Sequence, residues 1–111
     1  MAWNWDFDTF DVAPSGVLIF EHTWPRVGPR TMAAAAQLDR AGISYSCRYN
    51  ELALKPELVL TALESLRNWG LPIRISLRGG RPRVDLSALA SEILTALGPD
   101  SGIEIDTYHW G

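Results

Sequence analysis

Hydrophobic and polar positions alternate along this chain with two different periods, and the switches between them mark out the elements. Residues 2–8 set Trp3, Trp5 and Phe7 against Asn4, Asp6 and Asp8, the pattern of a half-buried strand or extended arm. Pro14-Ser15-Gly16 breaks the chain, and Val17-Leu18-Ile19-Phe20 is a continuous apolar run suited to a central strand covered on both faces. Gly28-Pro29 opens an alanine-rich helix over 31–41, which Gly42 stops. Residues 43–49 alternate at period two and predict a strand. Pro56 starts a second helix with Val59, Ala62, Leu63 and Leu66 at helical spacing, ended by Gly70. Residues 73–78 alternate again, and Gly79-Gly80 predicts a hairpin returning through 81–84, where Pro82 limits the return to an edge strand. Asp85 is placed to cap a third helix with Leu86, Leu89, Ala90, Ile93, Leu94 and Leu97 as its apolar stripe, closed by Gly98-Pro99. Residues 103–106 predict a last strand.

No repeat, linker or low-complexity tract divides these elements, so residues 1–111 read as one α/β domain. Its parts are an N-terminal strand or arm (1–14), a core (17–97) and a C-terminal strand (102–111).

Composition narrows the function classes more than it selects one. The net charge of −3 argues against nucleic acid as a partner. The single cysteine, Cys47, leaves no pair for a disulfide, a CxxC redox motif or a zinc site. No apolar stretch approaches the roughly 20 residues needed to span a bilayer, and the first residues lack the basic and apolar regions of a signal peptide. The expected setting is a reducing cytoplasm, with no membrane, cofactor or metal. Trp3, Trp5, Trp24, Trp69 and Trp110 are many for this length, and core anchoring is expected of them ahead of partner contact.

The order from residue 17, strand-helix-strand-helix-strand-strand-helix, is that of the thioredoxin fold. Val17-Leu18-Ile19-Phe20 with His22-Thr23-Trp24, then Leu38-Asp39-Arg40-Ala41-Gly42 before Ile43-Ser44-Tyr45, resembles the first half of a glutaredoxin. Leu71-Pro72 is similar to that family's Val-Pro, and Gly79-Gly80 falls one residue after its hairpin glycine. The resemblance implies a thioredoxin-like fold over 17–97. Counting back from Gly42, the family's Cys-Pro-Tyr-Cys falls on Gly28-Pro29-Arg30-Thr31, so the proline is kept and both thiols are absent. Thiol-disulfide exchange needs a thiolate, so the resemblance implies a redox-inactive member. Cys47, inside an alternating segment, reads as a small buried apolar residue rather than a replacement.

Four groups of residues carry candidate chemistry. Arg26, Arg30 and Thr31 at the first helix start suit an anion, because free N–H groups and the positive dipole end gather there; the simpler account is a helix cap and a solvated loop. No acid stands between Glu64 and Asp85, whereas Arg67, Arg74, Arg78, Arg81 and Arg83 all do, with Arg74, Ser76 and Arg78 on one strand face. Arginine forks suit carboxylates and interfaces, and they also guard strand edges. Asp6, Asp8 and Asp11 with Glu21 are arranged more like a solvated strand face than a cation site, since Phe10 stands where a phosphatase-type Asp-x-Asp-x-Thr motif needs threonine. His22 and His109 are the two histidines, without a local catalytic signature.

The function expected from these residues is a non-catalytic protein-binding module, of the kind found among small bacterial or phage inhibitor, immunity and adaptor proteins. Its contacts are expected at Arg74, Arg78, Arg81 and Arg83 and at Trp3, Trp5 and Trp110, with an acidic protein as the natural partner. Two alternatives stand beside it. One is a small-ligand or anion binder, or an enzyme, using His22 to Thr31; the other is a structural subunit that self-associates.

Overall fold

The computed structural model describes residues 14–22, 26–79, 86–98 and 100–109. The N-terminal arm over 1–13, the segment 81–84 and Asp85 lie outside the described residues, as do Trp3, Trp5, Trp24 and Trp110.

The described chain runs β1 (Ser15–Ile19), α1 (Pro29–Ala41), β2 (Ser46–Arg48), β3 (Glu51–Leu54), α2 (Val59–Leu66), β4 (Arg74–Gly79), α3 (Leu86–Leu97), β5 (Glu104–His109), with a 3-10 turn Pro56–Leu58 leading into α2. The strands form one mixed sheet in the order β2-β3-β1-β4-β5. β1 is central and antiparallel to both β3 and β4; β2 and β3 form a hairpin; β4 and β5 are parallel, joined through α3. All of β1 is buried, as its apolar run requires.

Side chains alternate across a strand, and here the two sets have different surroundings. Leu18, Phe20, Cys47, Leu52, Leu54, Ile75 and Leu77 share one core with Ala34, Ala35 and Leu38 of α1, with Val59, Ala62, Leu63 and Leu66 of α2, and with Leu86 and Ile93 of α3. All three helices therefore cover the same face. Val17, Ile19 and Ala53, with Ile73, form a small apolar group on the other. Approach on the helical face is close at Gly16, where a Cβ would come within 2.3 Å of Val59 Cγ2.

Helix ends follow the sequence punctuation. Pro29 occupies the first turn of α1, where a missing N–H costs nothing. At the other end Gly42 is left-handed (φ 72°). The Ile43 amide reaches the Leu38 carbonyl (3.0 Å) and the Gly42 amide that of Asp39 (3.2 Å), a Schellman cap. That geometry accounts for the Leu-Asp-x-x-Gly phrase by itself: leucine belongs to the core against which Ile43 packs, and glycine supplies the positive φ.

Three expectations need correction. A hairpin turning at Tyr49-Asn50, between β2 and β3, stands where one strand is expected, and the return through 81–84 lies outside the described residues. The segment 43–49 is a strand only over Ser46–Arg48, because the chain reverses at Tyr49. In α3, Leu94 is exposed; Leu86 and Ile93 carry the burial. The observed order, β-α-β-β-α-β-α-β, thus has a hairpin in place of the expected second strand, while the expected strand over 81–84 lies outside the described residues.

Candidate functional site

Residues paired across a ladder share a face, so the registers give the composition of the helix-free side of the sheet. One row across it is Arg48, Glu51, Ile19, Arg74 and Glu104; the next is Ser46, Ala53, Val17, Ser76 and Asp106; Ser15, Arg78 and Tyr108 follow. Arg74, Ser76 and Arg78 do share this face, as their alternation predicts. The acids that balance them come from β3 and β5, far away in sequence. Asp106 accepts hydrogen bonds from Arg74 through Nε (2.7 Å) and Nη2. Glu51 lies 3.5 Å from Arg78 Nη2, and Arg78 Nε donates to Ser76 Oγ at 3.1 Å. Arg74 and Arg78 are therefore each met by an acid from across the sheet. Arg67, at the C-terminal end of α2, stands apart from this face.

A hollow of about 500 Å³ opens where the C-terminal end of β1, the β2–β3 turn and the first half of β4 meet. Arg48, Tyr49, Glu51, Arg74, Arg78 and His22 are the lining side chains that matter most. Tyr49 sits at φ 54° in the first of two loop positions, where a hairpin of this type favours glycine. Its side chain is nevertheless exposed on the rim. Burial opposes ionisation of Asp106, yet hydrogen bonds from Ser76 and Arg74 and the charges of Arg74 and Arg78 outweigh it, holding the carboxyl below the usual range. The same pairing raises Arg74.

Compared with known proteins, the chain matches no family model, no curated protein and no solved structure.

The first helix start is built differently from the expected anion site. Gly28 has no side chain to cap the helix, and two distant residues do so instead. Glu21, just beyond β1, accepts from the Thr31 amide (3.3 Å). Asn50, in the hairpin turn, accepts from the Gly28 amide (2.7 Å) and donates to the Arg26 carbonyl (3.2 Å). The buried Thr31 hydroxyl lies within reach of both acceptors, 3.2 Å from Glu21 and 2.9 Å from Asn50. A carboxylate of the chain itself thus occupies the place an anion would take. Arg30 is turned to backbone carbonyls, those of Phe20 (3.2 Å) and Leu71 (3.0 Å), and Arg26 is exposed.

The remaining candidates separate in space. His22 follows the end of β1 that pairs with Arg74, while His109 pairs with Gly79, roughly 16 Å away along β4 at strand rise. They do not form one site. Cys47 is buried and its thiol is pushed up to about 12 by that burial, so it is not a thiolate at neutral pH. Asp6, Asp8 and Asp11 lie outside the described residues, as do Arg81 and Arg83. Among the described residues no group of acidic, histidine or cysteine side chains is arranged to hold a metal, and no helix is long and apolar enough to cross a membrane. Trp69 departs from the core expectation: it is 54% exposed, with the Arg40 guanidinium 4.7 Å from its ring centroid.

Arg74 and Arg78 were legible as candidates from alternation alone. Arg48, Tyr49, Asn50, Glu51 and the capping role of Glu21 were not, because the hairpin that brings them together has no glycine turn to announce it. The available signal was Gly28 itself: a helix start without a capping side chain implies a cap from elsewhere.

Proposed function

We propose that the protein is a non-catalytic protein-binding module of the inhibitor, immunity or adaptor kind, meeting its partner through the helix-free face of the sheet. The observation that carries this reading is the charged hollow in that face, where arginines from two strands and the exposed Tyr49 converge. Arginine and tyrosine are the side chains that concentrate binding energy at protein interfaces. The buried, protonated Cys47 and the occupied helix start supply no nucleophile to either place.

A thioredoxin-like relationship, redox-inactive, belongs to the same proposal. Its support is that Leu71, in the Leu-Pro phrase, meets Arg30 at the first helix start, and that β4 lies beside β1. The β2–β3 hairpin and the parallel β5 are departures from it.

One observation favours a second reading, a small-ligand site in the same hollow: about 500 Å³ is within the range of ligand pockets. Charge reversal of Arg74 and Arg78 in a pulldown from the native host tests the first reading. Loss of a specific partner, with retention by Arg30→Ala, is the expected result. Retention by the reversed protein, with its circular dichroism unchanged, defeats the proposal. Sedimentation of the free protein across concentrations tests the structural-subunit alternative.

A further inference from the structure

We infer that the hollow receives a carboxylate, which binds by taking Arg78 from Glu51. The proposal deepens the protein-binding reading by naming the chemistry of the partner group: an acidic side chain.

Arg74 and Arg78 stand four residues apart on one strand face, with Ser76 between them, and are held very differently. Arg74 is engaged through two of its nitrogens by Asp106. Arg78 donates Nε to the Ser76 hydroxyl, and its Nη2 reaches Glu51 only at 3.5 Å, the outer limit of a hydrogen bond. Among the described residues its Nη1 has no acceptor. The Arg78 side chain is 23% exposed, so water offers it limited compensation. A planar fork that accommodates two parallel hydrogen bonds is thus used at one long contact and one hydroxyl.

The hollow supplies the missing half. Its lining has three guanidinium groups, from Arg48, Arg74 and Arg78, and two carboxylates, Glu21 and Glu51. Glu21 is committed to Thr31 at the helix start, which leaves Glu51 as the internal rival for an incoming anion. The exchange replaces one ion pair by another, so no charge is left unpaired in the half-buried strand face when Glu51 swings toward solvent; it is itself 29% exposed.

Tyr49 completes the site. A bulky residue at positive φ is held under backbone strain and persists where something else is gained. Its ring stands on the rim, where it covers the aliphatic stem of a guest whose carboxylate has reached Arg78.

Amide and arginine Nε–Hε spectra recorded during titration with glutarate, with a hexaglutamate peptide, and with sodium chloride at matched ionic strength test the exchange. The expected result is a saturable shift of the Arg78 Nε–Hε signal and of the Tyr49, Asn50 and Glu51 amides, absent with chloride. Glu51→Gln removes the internal rival and tightens binding roughly two- to fivefold, the scale of a partly exposed ion pair. Arg78→Gln abolishes the shift, and Arg78→Lys, which keeps charge and lacks the fork, weakens binding if the glutamine variant does not fold. A shift that chloride reproduces, or affinity unmoved by Glu51→Gln, overturns the proposal.

The two probes separate the inference from the reading beneath it. Tighter binding of the peptide than of glutarate supports a protein carboxylate as the guest. Equal affinities, still raised by Glu51→Gln, uphold the exchange and overturn its assignment to a protein partner. A host partner whose capture depends on Arg74 and Arg78, with neither probe binding, overturns the exchange and leaves the protein-binding reading standing.

Discussion

Glu21 and Thr31, ten residues apart, are joined twice: the carboxylate takes both the Thr31 amide at 3.3 Å and its hydroxyl at 3.2 Å. A strand end thereby caps the following helix, and the negative charge that favours a helix N-terminus comes from within the chain. Gly28 is small for the same reason. A Cβ there would come within 1.9 Å of Glu21 Oε2.

Removing that cap should therefore be felt as stability. Glu21→Ala is expected to cost about 1–2 kcal/mol, the scale of a lost N-cap with its dipole term. Gly28→Ala should cost a similar amount by displacing the carboxylate, because the clash is with the end of a flexible side chain. The double variant should cost little more than either alone, since both remove one interaction. Urea denaturation of the three proteins measures this. Additive losses would show that Gly28 matters for another reason.

Gly16 presents a different clash. Its missing Cβ faces Val59 Cγ2 at 2.3 Å, on a helix packed against the central strand. Gly16→Ala is expected to destabilise by about 1–3 kcal/mol, as overpacking does. Adding Val59→Ala should recover part of that loss, a coupling that a double-mutant cycle reads directly.

The difference between those two glycines bears on what was legible in the sequence. Local signals were accurate wherever an element depends on its own residues. Gly42 stops α1, Pro56 precedes α2, and the apolar run at 17–20 gives the central strand. The sites that escaped depend on pairings between distant segments. Glu51-Leu52-Ala53-Leu54 is too short to show a period, and its partner β2 is reached through Tyr49-Asn50, where positive φ falls on a tyrosine. Gly79-Gly80 carries the stronger hairpin signal, and its return lies outside the described residues. The arginine face was visible from alternation, and its neutralisation by Glu51 and Asp106 was not, because acids from β3 and β5 meet it only in the assembled sheet.

Asp106 gives the stability a defined acid limb. Its folded pKa lies below the usual value of about 3.9, so the folded state holds its proton less tightly than the unfolded chain. The contribution is full above the unfolded pKa and is lost as pH falls through the folded one. Thermal melts of the parent protein should decline below about pH 4, and Asp106→Asn should lower stability at neutral pH and flatten that decline. An unchanged acid limb in the variant would assign the effect to other carboxyls.

Cys47 has the opposite sign. Burial raises the thiol to about 12, so the folded state retains the proton that the unfolded chain gives up at lower pH. This contribution is full below the unfolded thiol pKa and is lost as pH rises toward 12. At neutral pH, iodoacetamide should label the folded protein far more slowly than the urea-unfolded one. Labelling at the rate of a free exposed thiol would contradict the burial seen in β2.

Within the sheet, β1–β3 and β4–β5 are two blocks stitched along a single seam, the β1–β4 ladder. The hollow straddles it: Ile19, Glu21, His22 and the hairpin residues stand on one bank, with Arg74, Ser76 and Arg78 on the other. Whatever settles there touches both blocks, and its binding free energy is added to the work of parting them. Occupancy should therefore slow hydrogen exchange along the β1–β4 ladder itself, turning the seam between the two blocks into a gauge of what the protein holds.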